Sequence, residues 1–455
     1  MKAIEDFVRS LDLDAYLVGG AVRDELLGRE SKDADFLVPG VDAEALRAAL
    51  VPYGRVEELT VGGKPVGMRL YPRDRAFRTL APAGIEFAPI RRERSTGPGR
   101  HDFEIVVDPE ASVADDLARR DFRINAMARR LSDGELVDPH GGREDIERRL
   151  LRTVSDHSFE EDPLRLVRGL RFVSQLDFDP DEWTLAQMLE HAELVTIVSG
   201  ERIGGGLAAD GMGELSKLLL GREPRKALRL ARDTGVLVAL LPESGPAVFF
   251  DSHSTDHDMT VEEHVFAVVQ AAADAGMPLR VRLATLFHDL GKPVTGEGED
   301  HAEHGARLAD SAMRRLRYPT ELRERVVRIV RFHQFQLGEG DPAEARRMLS
   351  RHGDGLTFDL VDHWQADLSG RDQTDSVRKK LERVSAFRQV VEQELTSAHR
   401  LSDLAVDGAD LIQLGYRPGP ELGSTLNTLL QEVVEEPSLN RSESLLARAE
   451  ELLRT

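Results

Sequence analysis

The fold of the amino-terminal part is decided by residues 15–24, AYLVGGAVRD. The apolar run 15–18 predicts a buried strand, the two glycines end it, and Ala21 to Leu27 predicts a helix that stops at Gly28. Glycines between a strand and a helix let backbone N–H groups approach a phosphate, and the helix terminus adds positive potential. Arg23 can add a charged fork to the same anion, although the pattern also fits an ordinary tight turn.

Carboxylates follow on the next predicted strands. Asp33 and Asp35 occupy alternate positions at the start of a strand predicted to run to Val38, so both side chains point to one face. Two such charges repel unless a cation lies between them, and Mg²⁺ prefers carboxylates together with substrate phosphates. Glu86, within a strand predicted over Ile85–Ala88, is a candidate third ligand. The alternative is a solvated acidic pair, with Glu86 on a polar face.

Composition narrows the class of protein. The 455 residues exceed what one hydrophobic core usually serves, so two to four domains are expected. The net charge of −21 argues against a wholly basic nucleic-acid coat but allows a local basic groove. Zero cysteines exclude disulfides, thiolate metal sites and a cysteine nucleophile. Without a signal peptide or a run of about 18 apolar residues, a cytoplasmic protein that does not contact the membrane is expected.

Secondary-structure signals change along the chain. Short apolar runs alternate with helical patterns early on, and helical spacing dominates later, most clearly over 161–176, 214–220 and 224–240. The basic segment 91–100 contains glycine and proline and predicts a loop. We therefore predict an α/β head with a small mixed sheet over 1–142, a helical neck over 143–245, a third domain over 246–375 and a helical tail over 376–455.

Four motifs together resemble a known enzyme family. GGAVRD (19–24), DAD (33–35), ARRDFRINAMA (118–128) and EEDPLRLVRGLRF (160–172) are similar to class II CCA-adding tRNA nucleotidyltransferases and their bacterial poly(A) polymerase relatives. The resemblance implies a polymerase-β-like nucleotidyltransferase head. It implies addition of C, C and A to tRNA from CTP and ATP, with release of pyrophosphate. Poly(A) polymerase activity and partial CC- or A-addition remain alternatives.

The resemblance also implies roles for individual residues. Asp33 and Asp35 would be the catalytic carboxylates that hold two Mg²⁺ ions. The residues implied in nucleotide binding are Gly19, Gly20, Arg23, Asp24, Arg120, Asp121, Asn125, Asp162, Arg165 and Arg168. If one helix carries Asp162 and Arg165, they share a face and offer an acceptor beside a donor fork, enough to read a base edge. A salt bridge on a solvated helix is the alternative.

The neck departs from the family pattern and carries a basic stripe. Family members commonly have E-R-x-x-x-E, whereas here Glu201-Arg202 is followed by a glycine-rich stretch, 204–213, before Glu214. The insertion leaves the role of Glu214 open. One helical face beyond it is suited to tRNA phosphates or is simply solvated, and comprises Arg222, Arg225, Lys226 and Arg229.

A second constellation lies in the third domain. The motif HDLGK (288–292) and its outlying partners resemble the HD superfamily of metal-dependent phosphohydrolases over about 261–370. The predicted metal ligands are His264, His288, Asp289 and Asp367. Imidazole with carboxylate suits Mn, Fe, Ni or Zn, and His301 and His333 would complete the site or contact a phosphate. An HD phosphohydrolase acting on RNA ends or nucleotides is thus a further alternative function.

Resemblance alone supports the prediction for the tail. The segment Asp407–Leu411, with Gly415 to Gly423, is similar to the carboxy-terminal part of bacterial family members, where it would hold the tRNA elbow. The expected partners are therefore tRNA, CTP and ATP. The sequence does not predict an oligomeric state.

Overall fold

The computed structural model describes residues 2–30, 35–61, 63–95, 103–205, 212–251, 259–296, 299–334 and 337–454. The chain forms two compact units. One comprises Met1–Gly245 with Arg315–Tyr318, and the other Pro246–Arg314 with Pro319–Thr455. Within the described ranges, no helix combines the length and hydropathy needed to cross a membrane.

A mixed β-sheet forms the centre of the first unit. The strands of this unit are β1 (Tyr16–Val18), β2 (Asp35–Val38), β3 (Gly54–Val61), β4 (Lys64–Pro72), β5 (Ile85–Pro89), β6 (Arg91–Ser95), β7 (Phe103–Val107), β8 (Ala128–Arg130), β9 (Leu136–Val137), β10 (Leu150–Leu151) and β11 (Asp179–Pro180). Seven of them are ordered β3-β4-β5-β2-β1-β8-β9. β2 and β5 are parallel and the other neighbours antiparallel. The expected small mixed sheet is confirmed.

The register between β2 and β5 places two acidic residues side by side. Asp35 is the partner of Glu86, and the next pair is Phe36 with Phe87. The two phenylalanine rings stack with centroids 5.5 Å apart and are buried. Because alternate residues of a strand point to opposite faces, this aromatic pair anchors one face while the acids lie on the other.

The loop predicted over 91–100 is wrong for its first half. Residues 91–95 form β6, which pairs antiparallel with β7 as a separate two-stranded sheet. Their charged composition signals a loop, but strand formation depends on a partner strand more than on intrinsic preference. Residues 96–100 lie outside the described ranges.

Helices alternate with the strands of the first unit and predominate after β9. The first unit contains α1 (Lys2–Arg9), α2 (Gly20–Leu26), α3 (Ala43–Leu50), α4 (Arg75–Leu80), α5 (Val113–Ala118), α6 (Gly142–Arg148), α7 (Ser158–Glu161), α8 (Leu164–Leu176), α9 (Glu182–His191), α10 (Gly200–Ile203), α11 (Glu214–Leu219), α12 (Pro224–Asp233) and α13 (Val236–Leu240). The helix predicted over 161–176 begins only at Leu164, since Pro163 disfavours helical backbone at the residue before it. The helix predicted over 224–240 is interrupted at Gly235, which has a φ of +80°.

Among its described residues, the second unit contains helices joined by loops, and one isolated bridge between Asp251 and Thr260. Its helices are α14 (Val261–Asp274), α15 (Leu279–Phe287), α16 (His301–Arg315), α17 (Thr320–Arg331), α18 (Pro342–His352), α19 (Asp354–Ser369), α20 (Asp375–Glu394), α21 (Gly408–Gln413), α22 (Pro420–Glu435) and α23 (Ser442–Leu453). Apolar side chains of α18, α19 and α20 share one core, and α21, α22 and α23 contribute to another. The mostly helical body predicted from the sequence is confirmed, while its division into neck, third domain and tail stays a prediction.

Candidate functional site

The glycine turn after β1 brings backbone close to a charged side chain. Gly19 is the N-cap of α2 and has a φ of +70°, a conformation that side chains rarely allow. A Cβ at this position would lie 2.7 Å from Nη1 of Arg120. Glycine is therefore required both for the turn and for the approach of Arg120 to the start of the helix.

Polar side chains beside this turn form one hydrogen-bonded network. Arg23 donates to Oδ1 of Asn125 at 2.7 Å and contacts Oδ1 of Asp24 at 2.8 Å. Asn125 in turn donates to Oδ1 of Asp121 at 3.2 Å. The motifs GGAVRD and RRDFRINAMA, about 100 residues apart in sequence, thus meet at one place.

The network continues through buried charges into α8. Oδ2 of Asp121 accepts bonds from Nε and Nη2 of Arg168, at 2.8 and 2.6 Å, and Glu214 lies 3.0 Å from Arg171. Burial raises the pKa of Asp121, but Arg168 outweighs it and holds that pKa well below its usual value. Burial, together with Arg168, lowers the pKa of Arg171 to about 10. The Arg171 guanidinium lies 4.4 Å from the centre of the Phe172 ring.

Asp116 holds two arginines at the same place, and the sequence reasoning missed it. Its carboxylate is fully buried and contacts Arg119 at 2.7 Å and Arg120 at 3.3 Å. The spacing D-x-x-R-R, with charges three and four residues apart around a helix end, is a signal that was available.

The expectation that Asp162 and Arg165 share a helix face is wrong. Asp162 is the extended C-cap of α7, whereas Arg165 lies in the first turn of α8. Oδ2 of Asp162 accepts a bond from Arg202 at 2.7 Å, and Arg165 donates to the Arg119 carbonyl at 2.7 Å. Both side chains nevertheless line the same cavity. Arg202, which donates to Asp162, is the arginine of Glu201-Arg202, the pair after which this sequence departs from the family pattern E-R-x-x-x-E.

The two ends of the glycine-rich stretch 204–213 lie next to each other. Gly205 pairs with Met212, and the Gly213 amide donates to the Gly204 carbonyl at 3.0 Å. Glu214 then opens α11 against Arg171, as described above. Residues 206–211 lie outside the described ranges.

The predicted carboxylates flank the same cavity. Asp35 is exposed at the start of β2, beside Glu86 on β5. Oε1 of Glu86 accepts a bond from Nε of Arg69 at 3.1 Å. Asp33 lies outside the described ranges. Two adjacent carboxylates at the rim of a cavity supply the oxygen donors that a hard divalent cation prefers, so the residues present fit such an ion.

A cavity of about 590 Å³ gathers these side chains. Nine of the ten residues predicted to bind nucleotide line it, and the tenth, Asp24, contacts Arg23. Of the described residues at its wall, eight are arginines and four are carboxylates. In a chain with a net charge of −21, this excess of cations favours a polyanionic ligand.

The predicted basic face lies on and just before α12. Lys226 contacts Asp177 and Asp179 at 2.9 Å each, and Arg222 lies 3.9 Å from Asp177. Arg222 and Arg229 are exposed, and Arg225 and Lys226 are half-buried. Part of the positive charge of this face is therefore neutralised within the protein.

The second unit brings together the four predicted HD residues. Nε2 of His264 lies 3.0 Å from Oδ1 of Asp367, and Nε2 of His288 lies 3.3 Å from Oδ2 of Asp289. The two Nε2 atoms are 3.4 Å apart. All four residues are buried. Imidazoles and carboxylates that converge in this way form a donor set that fits a transition metal.

Three known domain families match successive segments of the chain. Residues 15–152 match the family described as the Poly A polymerase head domain, residues 177–247 the probable RNA and SrmB-binding site of polymerase A, and residues 261–366 the HD domain. The Multifunctional CCA protein of Cupriavidus taiwanensis is 36% identical over 339 residues, which cover 70% of this chain and 74% of the relative. The chain belongs to the CCA-adding enzymes. The Multifunctional CCA protein of Cupriavidus necator is 34% identical over 384 residues, which cover 79% of this chain and 86% of the relative.

Solved structures agree with this membership. The CCA-adding enzyme of Bacillus stearothermophilus in complex with CTP is 25% identical, with a TM-score of 0.70 over 99% of this chain and 96% of its own. The Thermotoga maritima CCA-adding enzyme complexed with tRNA shares the fold at 20% identity and a TM-score of 0.57, over 99% and 94% of the two chains. This CCA-adding enzyme family member is a nucleotidyltransferase, and its head and HD domains imply the use of divalent metal.

Proposed function

We propose that this chain adds C, C and A to the 3′ end of tRNA from CTP and ATP and releases pyrophosphate. The observation that carries the proposal is the arginine-lined cavity whose rim holds Asp35 beside Glu86. A triphosphate needs cations along its length, and attack on its α-phosphate needs carboxylate-held metal at one end. Relatives named Multifunctional CCA protein, and a CTP complex of the same fold, support the same substrates.

The chain's own side chains are assigned to binding and orientation. We assign Arg23 and Arg120 to the triphosphate and Asp24, Asp121 and Asn125 to the sugar and the arginines around it, with backbone from Gly19 and Gly20. Asp33 and Asp35 would hold Mg²⁺, with Glu86 as a third ligand. When bound, such ions activate the attacking hydroxyl and stabilise charge on the leaving group. Arg168 would orient Asp121, to which it already donates two bonds.

Base choice is assigned to Asp162 and Arg165. Each oxygen of Asp162 accepts one bond within the protein, from Arg202 and from the Leu164 amide. A carboxylate oxygen can accept two bonds, so Asp162 retains acceptor capacity toward a base. Arg202 fixes the carboxylate of Asp162 in place. Arg165, which follows Pro163 in the sequence, would supply hydrogen-bond donors to the base.

Transfer to defined RNA ends tests the proposal. Purified protein with Mg²⁺ is incubated with tRNA transcripts that end before C, before CC or before CCA, and CTP and ATP are supplied separately and together. Sequenced 3′ ends that stop at CCA are the expected result. Addition of only C, only the last A or a long A tract would overturn complete CCA addition in favour of a partial or poly(A) enzyme.

Removing either base-reading side chain is expected to blur the choice between CTP and ATP. Asp162→Ala and Arg165→Ala should each reduce discrimination between CTP and ATP by about 100-fold. A polar site rejects the wrong base because that base leaves the polar groups of the site unpaired. Triphosphate affinity should change only a few-fold, because Arg23 and Arg120 remain. Single-turnover incorporation of each nucleotide measures both effects. Glu160→Ala is the control, because Glu160 lies exposed on α7 and outside the cavity. Unchanged discrimination in both variants would contradict the assignment.

The exposed part of α12 and the tail are assigned to tRNA. Arg222 and Arg229 are exposed, whereas Arg225 and Lys226 are half-buried, so Arg222 and Arg229 are expected to contribute most to phosphate binding. We further propose that the chain acts in the cytoplasm.

A second proposed function is phosphate hydrolysis by the HD domain. The metal-ligand cluster opens into a cavity of about 270 Å³ whose wall also includes Lys292, Arg371 and Lys380, which suits a phosphoryl group. The proposed substrates are phosphomonoesters or 2′,3′-cyclic phosphates at RNA ends. His288→Ala should abolish their hydrolysis and leave CCA addition intact, as measured on RNAs with each end. His304→Ala, on a nearby helix but outside the cluster, is the control, and joint loss of both activities in His288→Ala would contradict two separate sites.

A further inference from the structure

We propose that a groove between α16 and α17 binds the RNA strand that leads to the end hydrolysed by the HD domain, so that this domain prefers RNA ends to free nucleotides. The proposal rests on the HD phosphohydrolase function proposed above and names its substrate class. Three features of the two helices support it: a cavity with a surplus of arginines, a row of polar contacts along the groove, and the position of the HD cavity at one end of that row.

A cavity of about 520 Å³ lies between the two helices. Its polar wall comprises Arg307, Asp310, Ser311, Arg314 and Arg331. Three arginines against one carboxylate leave a surplus of positive charge, whereas the chain as a whole has a net charge of −21. A guanidinium binds phosphate oxygens through paired donors, and a local surplus of cations attracts a polyanion. The wall of this cavity therefore suits phosphate groups.

The one carboxylate of this wall adds little repulsion, because its charge is already balanced. Oδ2 of Asp310 accepts a bond from Nε of Arg314 at 2.7 Å, and Oδ1 lies 3.3 Å from Nε of Arg323 on α17. Arg307, by contrast, is exposed and forms no ion pair within the part of the chain that the structure describes. The side chain of Arg314 is 61% exposed. Arg307 and Arg314 therefore present most of the charge that a ligand can reach.

A row of polar contacts joins α16 to α17 along the groove. The pairs are Gln334 with Asp300 at 3.0 Å, Arg331 with Glu303 at 2.7 Å, and Arg323 with Asp310 at 3.3 Å. Residue numbers rise on one side of the row as they fall on the other, so the two helices are antiparallel. On α16 the members of the row, with the two exposed arginines, recur at steps of three and four residues and thus share one face.

The HD cavity lies at one end of this row. Gln334 belongs to the wall of that cavity, together with His301 and His333. His301 opens α16 two residues before Glu303, and His333 follows Arg331 by two residues. The arginine-lined groove therefore leads away from the cavity in which the phosphoryl group would be hydrolysed.

The length of the groove fits a strand better than a single nucleotide. Arg307 lies six residues beyond His301, about 9 Å along the helix axis, and Arg314 lies about 10 Å further. A mononucleotide with one phosphate places it in the HD cavity and has none left for these arginines, whereas an RNA end has further phosphates upstream. Contacts to such phosphates position a strand without reading its sequence. We therefore expect a preference for RNA ends that does not depend on the bases.

Two substrates with the same reacting group test the proposal. Both have a 2′,3′-cyclic phosphate, one at the end of an RNA of about ten nucleotides and the other on a mononucleotide. In both, the oxygen of water bonds to phosphorus, one P–O bond of the ring breaks, and a proton passes to the released oxygen. With Mn²⁺ supplied, the full chain should hydrolyse the RNA with a kcat/KM at least about tenfold higher than that for the mononucleotide.

Removing the two exposed arginines should affect only the longer substrate. Arg307→Ala combined with Arg314→Ala should lower kcat/KM for the RNA about tenfold and change that for the mononucleotide less than about twofold. Each lost contact should also reduce the slope of log kcat/KM against log salt by about 0.7, the value for a phosphate of a single strand. A purely structural defect would lower both substrates together. Arg351→Ala is the control, because Arg351 is exposed on α18 and lies outside both cavities.

Other outcomes separate the groove from the hydrolytic function. If the double variant keeps the wild-type ratio between the two substrates, the groove does not bind RNA, and the hydrolytic function stands. If the wild type hydrolyses neither substrate, the hydrolytic function and the substrate preference both fall. Fluorescence anisotropy with the same RNA, labelled at its 5′ end, then decides whether the groove binds RNA at all, and unchanged affinity in the double variant would overturn that too. Thermal unfolding checks the fold of the double variant, in which Asp310 keeps its contact with Arg323.

Discussion

Asp35→Asn is expected to reduce the rate of C and A addition by about 1,000-fold or more. Metal-held stabilisation of the transition state is worth several kcal/mol, and each 1.4 kcal/mol changes the rate tenfold. Asparagine keeps the size of the side chain and one oxygen but removes the negative charge that faces Glu86 across the two parallel strands. Because Asp35 is exposed at the strand start, the fold should not depend on this charge.

Single-turnover addition to a transcript that ends before CCA measures the effect. Glu44→Gln is the matched control, because it removes the same charge from an exposed position of the same unit, on α3, and should keep full activity. The thermal midpoint and tRNA affinity of Asp35→Asn should stay close to those of the wild type. If the variant retains activity within about threefold, Asp35 does not hold a catalytic metal.

Local motifs were the reliable part of the sequence reasoning. The strand, Gly19 and helix of AYLVGGAVRD follow from apolar patterning and one conformation that glycine permits, all within ten residues. The strand after Asp33 was predicted with its observed limits for the same reason. The adjacent His288 and Asp289 also mark their site locally, because two metal-ligand types stand together at a helix end.

Contacts between side chains far apart in the chain could not be predicted from the sequence. Arg202 lies 40 residues from Asp162, and Glu214 lies 43 residues from Arg171, yet each pair is in contact. Periodicity predicts which face of a helix is polar but not which residue covers it. The same limit applies to β6, whose strand character depends on β7, and to Lys226, whose charge is taken up by Asp177.

The helix predicted through Asp162 shows how one backbone rule outweighs periodicity. Apolar spacing over 161–176 fits a single helix, but Pro163 separates α7 from α8 and leaves Asp162 extended. The break turns Asp162 toward Arg202. Its separation from Arg165 follows from the proline, a residue visible in the sequence.

Asp121→Asn is expected to lower the free energy of unfolding by about 3 kcal/mol, as is typical when one partner of a buried ion pair is removed. The carboxylate is buried and accepts four hydrogen bonds, two from Arg168, one from the Phe122 amide and one from Asn125. Its loss removes the carboxylate that Arg168 bonds twice, and Glu214, 3.6 Å from Arg168, is left to face both Arg168 and Arg171. Glu144→Gln is the control, because its ion pair with Arg148 is exposed and should contribute less than about 1 kcal/mol.

The contribution of Asp121 to the free energy of unfolding is expected to depend on pH in a defined direction. Arg168 holds the folded-state pKa of Asp121 below its usual value, so its contribution to stability is present above the unfolded-state pKa of about 4. That contribution is lost as pH falls through the folded-state pKa. The difference in unfolding free energy between wild type and Asp121→Asn should therefore be largest near neutral pH and narrow below about pH 4. Urea denaturation at a series of pH values measures it.

A double variant separates the ion pair from simple loss of packing. Arg168→Met removes the cation that Asp121→Asn leaves unpaired, so the combined variant should be less destabilised than the sum of the two single variants. The difference is the coupling between Asp121 and Arg168. If the two losses simply add, the carboxylate stabilises the fold through its bonds to Phe122 and Asn125 alone. Arg168 would then be free to act on the nucleotide directly and not through Asp121.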